Sequence, residues 1–336
     1  MAKQHIKLTD LARQLGLSVS TVSKALSDSN EISYQTKKRV LELSKALNYR
    51  PNTLAKNLKQ SRTNTIGVII PDLLNYYFVK ALNSIQESAE KQGYSIMTCI
   101  TNESLDNEVR YIEMLTNGSV DGLVVALSIE TQKKKKFDHF KQLIDNEFPL
   151  VLFDRVSDEI NCSQIISNDA SGGAQAAHQL YIAECRNPLL VVVNSDLEVI
   201  KRREEGFTRK WYQLSAGSSV IRLEVLDLDD SEKEISDFLY NNNKIDGAFA
   251  VDERLGIKTL KCAIDIGRNV PENFKIIAAS NGELSKEYAP SLSVIDLQEN
   301  KIGSSAAEEV VRLIKSNVLK PKTTIIAPKF LPRQSS

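Results

Sequence analysis

Histidine is almost missing from this chain: His5, His139 and His178 are the three copies in 336 residues, and they stand far apart. Cys99, Cys162, Cys185 and Cys262 are scattered without a C-x-x-C pair. No metal site is therefore expected, and the thiols suit reduced, mostly buried positions in a cytoplasm. Long apolar runs are absent as well. No stretch approaches the ~20 residues of a membrane span, and the polar, charged N-terminus has no signal-peptide character, so neither a membrane partner nor export is expected. The chain also lacks G-x-S-x-G, a Walker loop and G-x-G-x-x-G, which argues against an enzyme and implies no cofactor. No leucine heptads follow Phe330, so a C-terminal tetramerisation coil is not expected.

Net charge is absent too, since 43 basic residues cancel 43 acidic ones, but the average hides a polarity. Residues 1 to 65 hold twelve Lys/Arg against four Asp/Glu, a net of +8, which leaves −8 for the remainder. A basic head on an acidic body attracts phosphate at one end and keeps the body off a duplex.

The basic end has the order of a helix-turn-helix. Thr9 is a plausible N-cap for a helix with the apolar face Leu8, Leu11, Ala12 and Leu15, and Asp10 is placed well against the positive end of its dipole. Gly16 ends that helix in a left-handed turn, and Ser18 caps a second helix running Val19-Ser20-Thr21-Val22-Ser23-Lys24-Ala25-Leu26. Ala12 is small where the helices cross, and Val22 packs back onto the first. A third helix, capped by Ser33 and running to about Leu47, closes the core with Val40, Leu43 and Leu47. The second helix carries its polar residues at the N-terminal end, where such helices touch base edges. The next segment, Asn52 to Leu58, is too short for a stable isolated helix and has the make-up of one that forms only on DNA.

From Thr65 onward short β-branched runs alternate with amphipathic helices. Strands are expected at 66–70, 94–100, 122–127, 150–153, 164–167, 189–193, 220–225, 247–251, 275–279, 292–297 and 323–326, with helices such as 79–92, 107–117, 172–183, 254–266 and 302–315. Doubly buried strands separated by helices imply parallel sheets with right-handed crossovers. Eleven strands are too many for one such sheet in about 270 residues, so the fold class is an all-α helix-turn-helix head plus an α/β body of two doubly wound parallel-sheet lobes. The expected domains are a head at 1–50, a hinge helix and linker at 51–64, an N-terminal lobe at 65–163 with 294–320, and a C-terminal lobe at 164–293 with 321–336. A ligand would bind at the carboxyl ends of the strands, between the lobes. Ser128, Asp154, Arg155, Arg203 and Asp252 are the polar groups expected there, and they suit a hydroxyl-rich ligand. Arg203 fits either that role or a structural salt bridge. The run Lys133 to Lys136 reads as a solvated helix start.

These residues carry a resemblance. The helix-turn-helix, Tyr49-Arg50-Pro51-Asn52, Ala55-Lys56-Asn57-Leu58, Arg62-Thr63-Asn64-Thr65-Ile66-Gly67-Val68 and Pro71-Asp72 resemble the lactose-repressor (LacI/GalR) family of bacterial regulators. Asp121-Gly122, Phe153-Asp154-Arg155, Asn168-Asp169 with Gly172-Gly173-Ala174, Arg203 with Gly206-Phe207, Asp252-Glu253 and Pro290-Ser291-Leu292 extend it over the whole length. The resemblance implies a cytoplasmic, allosteric repressor, a homodimer on double-stranded palindromic operator DNA, with a body resembling periplasmic sugar-binding proteins and a sugar-like small-molecule effector of carbohydrate metabolism.

Family positions map base reading onto Val19, Ser20 and Lys24, with Asn30 just beyond; Lys24 can donate to guanine and Val19 can meet a thymine methyl. Thr21 and Ser23 are placed to fix phosphates. In the hinge, Leu58 is the implied minor-groove wedge, with Ala55 allowing close approach and Lys59 near the backbone. Tyr77 and Phe78 stand where the family sets residues against the ligand, although Phe78 suits core packing equally. At Ala278-Ala279-Ser280-Asn281 the chain departs from the family's Gly-Phe/Tyr-Asp-Asp, so Ser280 replaces a ligand-binding carboxylate. The rival reading, a solute-binding transport protein, would need export and no head.

Overall fold

The computed structural model describes residues 6–49, 62–193, 196–316 and 320–336. The hinge positions Ala55, Leu58 and Lys59 lie outside the described residues. The chain divides at Thr63/Asn64 into two compact units.

The first unit is the helical head: α1 (Leu8–Leu15), α2 (Val19–Leu26) and α3 (Tyr34–Ala46). Leu11, Ala12, Val22, Ala25 and Val40 form its buried core, with Leu43 and Leu47 packed at the edge. Gly16 takes φ +64, the left-handed turn its position requires. Ser18 and Ser33 cap α2 and α3, accepting from the N–H groups of Thr21 and Thr36. Thr9 is not a cap. Helix α1 begins at Leu8 with Lys7 at the cap, and the Asp10 carboxylate accepts from the Lys7 N–H at 2.9 Å, so the acid three residues in fixes the start.

The second unit holds two six-stranded sheets in the same spatial order. The first is β11-β5-β4-β3-β1-β2, from Thr323–Ile326, Ser163–Ser167, Leu150–Phe153, Gly122–Val125, Thr65–Ile70 and Ser95–Ile100. The second is β12-β10-β9-β8-β6-β7, from Lys329–Leu331, Ser293–Asp296, Lys275–Ala279, Gly247–Ala250, Pro188–Val193 and Ile221–Val225. Every pairing is parallel except that of β10 with β12.

Two sequence expectations change. Strand β12, three residues beyond the last expected one, adds an antiparallel edge. The lobe boundaries also shift: residues 163–167 and 323–326, expected wholly or mainly in the C-terminal lobe, pair with each other in the first sheet, and 293–296 belongs to the second. Strand pairing sets lobe membership, and the pairing lies between segments distant in sequence. The chain consequently passes between the lobes three times.

Five helices matter for the site: α4 (Tyr76–Lys91), α5 (Leu105–Thr116), α8 (Asp169–Ile182), α9 (Glu198–Leu214) and α13 (Glu299–Lys315). Helices α4, α8 and α13 start three residues before the expected positions. Helix α13 opens on Glu299, Asn300 and Lys301 and α8 on Asp169, whereas α4 opens on Tyr76, Tyr77 and Phe78; the side chains of Asn75 and Asn168 cap α4 and α8. The Lys133–Lys136 run is the end of a short helix, α6 (Ile129–Lys134), with Lys135 at φ +50, and not a helix start. Among the described residues no helix is long and apolar enough to cross a membrane.

Candidate functional site

On the head, Ser18, Val19, Ser20, Ser23, Lys24 and Asn30 are all exposed, and Thr21 is half-buried. Val19 is 43 % exposed, which is unusual for an apolar side chain beside a small core and leaves its methyls free for a partner. Ser18 is less free than its neighbours, because its hydroxyl caps α2 and lies 2.8 Å from the hydroxyls of Ser20 and Thr21. Lys24 is paired with Glu31, so a base edge must compete with that carboxylate for the ammonium.

On the body, the strand ends at which a cleft is expected correspond between the two sheets. Asp154 follows β4 and Ser280 follows β9, which hold the same rank in their sheets. Both residues take left-handed backbone, φ +56 and φ +78. Each donates its N–H to the next strand, Asp154 to the Ile165 carbonyl at 3.0 Å and Ser280 to the Ile295 carbonyl at 2.9 Å. The two strand ends are thus built alike, each closing on a polar residue in a left-handed turn.

The first wall carries Asp154, Tyr77 and Phe78. Phe78 is buried, edge-on to Tyr77 (5.3 Å) and Phe153 (6.2 Å), so it packs in the core. It also supports Arg155, whose guanidinium lies 5.3 Å from its centroid. Arg155 is spent on Glu103, donating to both carboxylate oxygens at 2.7 and 2.8 Å. The Tyr77 hydroxyl is buried with no hydrogen-bond partner. Burial, and after it the Asp154 charge, holds the phenol well above its usual pKa. Burial, and then the Asp169 charge, likewise pushes the Asp154 carboxyl up.

The second wall carries Arg203. Helices α8 and α9 cross so closely that a Cβ on Gly173 would run into the Arg203 carbonyl, and one on Gly206 into the Ala170 carbonyl. That crossing sets Arg203 Nε 2.7 Å from Asp169 Oδ1, and Nη1 donates to the Val251 carbonyl at 3.0 Å. Burial works against the guanidinium charge, but Asp169 and Asp154 outweigh it and hold its pKa above the usual value. Of the two roles Arg203 suits, the salt bridge is the one present.

Three expected cleft groups have partners within the fold. Ser128 is fully buried; its N–H donates to Glu108 Oε2 at 2.7 Å and its hydroxyl caps α6 against Thr131. Asp252 caps the helix Glu253–Asp265, with Oδ1 accepting from Arg254 and Leu255 N–H groups. Ser280 donates to Glu299 Oε1 at 2.9 Å.

Asp169, Glu108, Lys80 and Glu299 escaped the sequence reading as site residues. A signal existed for two of them: Glu108 falls on the buried stripe Leu105, Ile112, Leu115 of α5, and Glu299 on the stripe Ile302, Gly303, Ala306 of α13. A carboxylate on an apolar stripe must find partners inside the fold.

Known proteins are similar to this chain in sequence and in fold. Residues 63–334 match the family described as periplasmic binding proteins and sugar binding domain of LacI family, and residues 7–52 match bacterial regulatory proteins, lacI family. The HTH-type transcriptional regulator pepR1 of Lactobacillus delbrueckii subsp. lactis is 28 % identical, with 100 % of this chain and 99 % of that one covered. The HTH-type transcriptional repressor PurR of Aliivibrio salmonicida is 27 % identical, with 98 % of each chain covered. Among solved structures, a Lac repressor dimer bound to operator and an anti-inducer superposes with a TM-score of 0.85 at 18 % identity over 99 % of each chain. A LacI family regulator from Enterococcus faecium with bound ribose gives 0.70 at 22 % identity, covering 81 % of this chain and 98 % of that one. With a DNA-binding head and a two-lobed body each matched by a family model, this chain belongs to the LacI family of bacterial regulatory proteins.

Proposed function

We propose that the protein is a cytoplasmic transcriptional repressor, and not an enzyme, that binds a palindromic operator as a homodimer and answers to a small polar effector, a sugar or sugar derivative, in the cleft between its lobes. One observation carries the effector reading: a buried Tyr77 hydroxyl without a well-formed hydrogen bond, set against the buried Asp154 carboxylate in the body. An orphaned buried donor and a carboxylate with no ion pair among the described residues together fit a ligand rich in hydroxyl groups. The DNA reading rests on the exposed row Val19, Ser20, Ser23 and Lys24 at the start of α2 and on the basic head. Ala55, Leu58 and Lys59 are assigned to the minor groove on the family resemblance, with Leu58 as the wedge. Solved relatives are described as a dimer on operator and as a ribose complex, which supports both halves of the reading.

The test has two arms. The full chain selects duplexes from a randomised pool, and enrichment of a two-fold symmetric site is the expected result. A thermal-shift screen of sugars and nucleosides, with and without the selected duplex, should give a saturable shift that Asp154→Asn abolishes. Enrichment of no symmetric site refutes the operator reading, and a shift that survives Asp154→Asn moves the effector elsewhere.

A further inference from the structure

Asn281, on the second wall of the cleft, is gripped through its own backbone at both ends. Its N–H donates to Glu299 Oε1 at 3.2 Å, and its carbonyl accepts from Lys80 Nζ at 3.0 Å. Lys80 and Glu299 also pair with each other at 3.1 Å, and the Ser280 hydroxyl shares the same Glu299 oxygen. Glu299 is 1 % exposed, so these partners stand in for water around its carboxylate.

The charges and the segment they grip belong to different lobes. Lys80 lies on α4 of the first lobe, and Glu299 opens α13, which packs on α4 and on β3, β4 and β5 of the first sheet. A Cβ on Gly303 of α13 would run into the Ala81 carbonyl of α4, so the two helices move as one piece. Ser280 and Asn281 follow β9 of the second sheet, and the Asn281 side chain is fixed there by Asp296 (3.2 Å) and Arg333 (2.5 Å). A pair of opposite charges on one lobe thus holds one residue of the other by its donor and its acceptor.

We infer that Lys80 and Glu299 are positioning residues of the effector cleft, a clamp that ties the Ser280–Asn281 wall to the α4–α13 pair and so sets the balance between open and closed lobes. The inference rests on the effector reading proposed above. It also gives a physical reason for serine at position 280: a carboxylate there would stand against Glu299, whereas a hydroxyl donates to it. An effector that displaces or tightens the wall then acts on the first lobe through the clamp, because it binds the two arrangements unequally.

The test uses the full chain with Lys80→Met, which keeps the aliphatic stem, Glu299→Gln, which keeps an acceptor for Ser280 and Asn281, and the double variant. Amide exchange at residues 278–285 should quicken ~10-fold or more in each single variant, with no further gain in the double, because one clamp is released in all three. Strand β7, remote from the clamp, should be unaffected. On the duplex selected by the wild type, both single variants should shift ligand-free affinity ~5-fold or more and in the same direction. A pair that serves stability alone would lower the unfolding temperature and leave affinity measured well below it unchanged. Unaltered exchange at 278–285, or affinity within about twofold of wild type in both variants, overturns the inference. If the wild type selects no duplex, the regulator reading fails, and the exchange result still decides the clamp.

Discussion

Arg203→Ala puts the second wall of the cleft to its hardest test. The guanidinium is the ion-pair partner of Asp169, which is 4 % exposed, and it also satisfies the Val251 carbonyl. Taking away one member of a buried pair leaves an uncompensated charge at a cost of ~3–5 kcal/mol. For a unit of this size each kcal/mol moves the midpoint by ~2–4 °C, so the body transition should fall by about 10 °C at pH 7. The pH dependence follows from Asp169, whose carboxyl is pushed up by burial, with Arg203 pulling it back in part. A carboxyl whose pKa is higher folded than unfolded contributes stability that is complete below the unfolded value and is lost as pH rises through the folded one. Without Arg203 the folded value climbs further, so the deficit must be larger at pH 7 than at pH 5. Scanning calorimetry of Arg203→Ala and of Arg203→Ala/Asp169→Asn at both pH values measures this. The double variant, with no buried charge left to strand, should recover most of the loss. A fall below about 2 °C, equal falls at both pH values, or no recovery in the double would refute the reasoning.

Three further outcomes are expected. Tyr77→Phe should leave ligand-free stability unchanged or raise it by ~1 kcal/mol, because the hydroxyl it removes is buried and unpartnered, yet weaken effector binding in a calorimetric titration. Lys24→Ala should cost ~1–3 kcal/mol on the selected operator and relax discrimination at one base per half-site, while Glu31→Gln, which frees the ammonium, should tighten binding to any duplex; fluorescence anisotropy on specific and random DNA separates the two. Cys162, whose thiol burial pushes up to about 12, should resist alkylation at pH 8 until the body unfolds, as followed by mass spectrometry.

The head was legible nearly to the residue because its signals are local. Ser18 and Ser33 cap the helices that begin one residue later, and Gly16 stands where only a left-handed turn fits. The body's strands were legible as apolar runs, but which sheet each one joins was not, since β5 pairs with β11 across more than half the body. The cleft showed the same divide. Asp154 and Ser280 could be placed at strand ends from sequence, whereas the partners that commit Ser128, Arg155 and Asp252 come from packing and helix capping. Sequence reading went too far in treating every polar residue near a strand end as ligand-facing, and not far enough with Glu108 and Glu299, whose place on apolar stripes already required internal partners.

The three passages of the chain between the lobes bear on how the body is made. The first sheet takes its edge strand from residues 323–326 and the second from 329–331. A chain ending at residue 321 would lack an edge strand of each sheet. The two edge strands stand side by side in sequence but in different lobes, so no single cut within the body yields either lobe by itself.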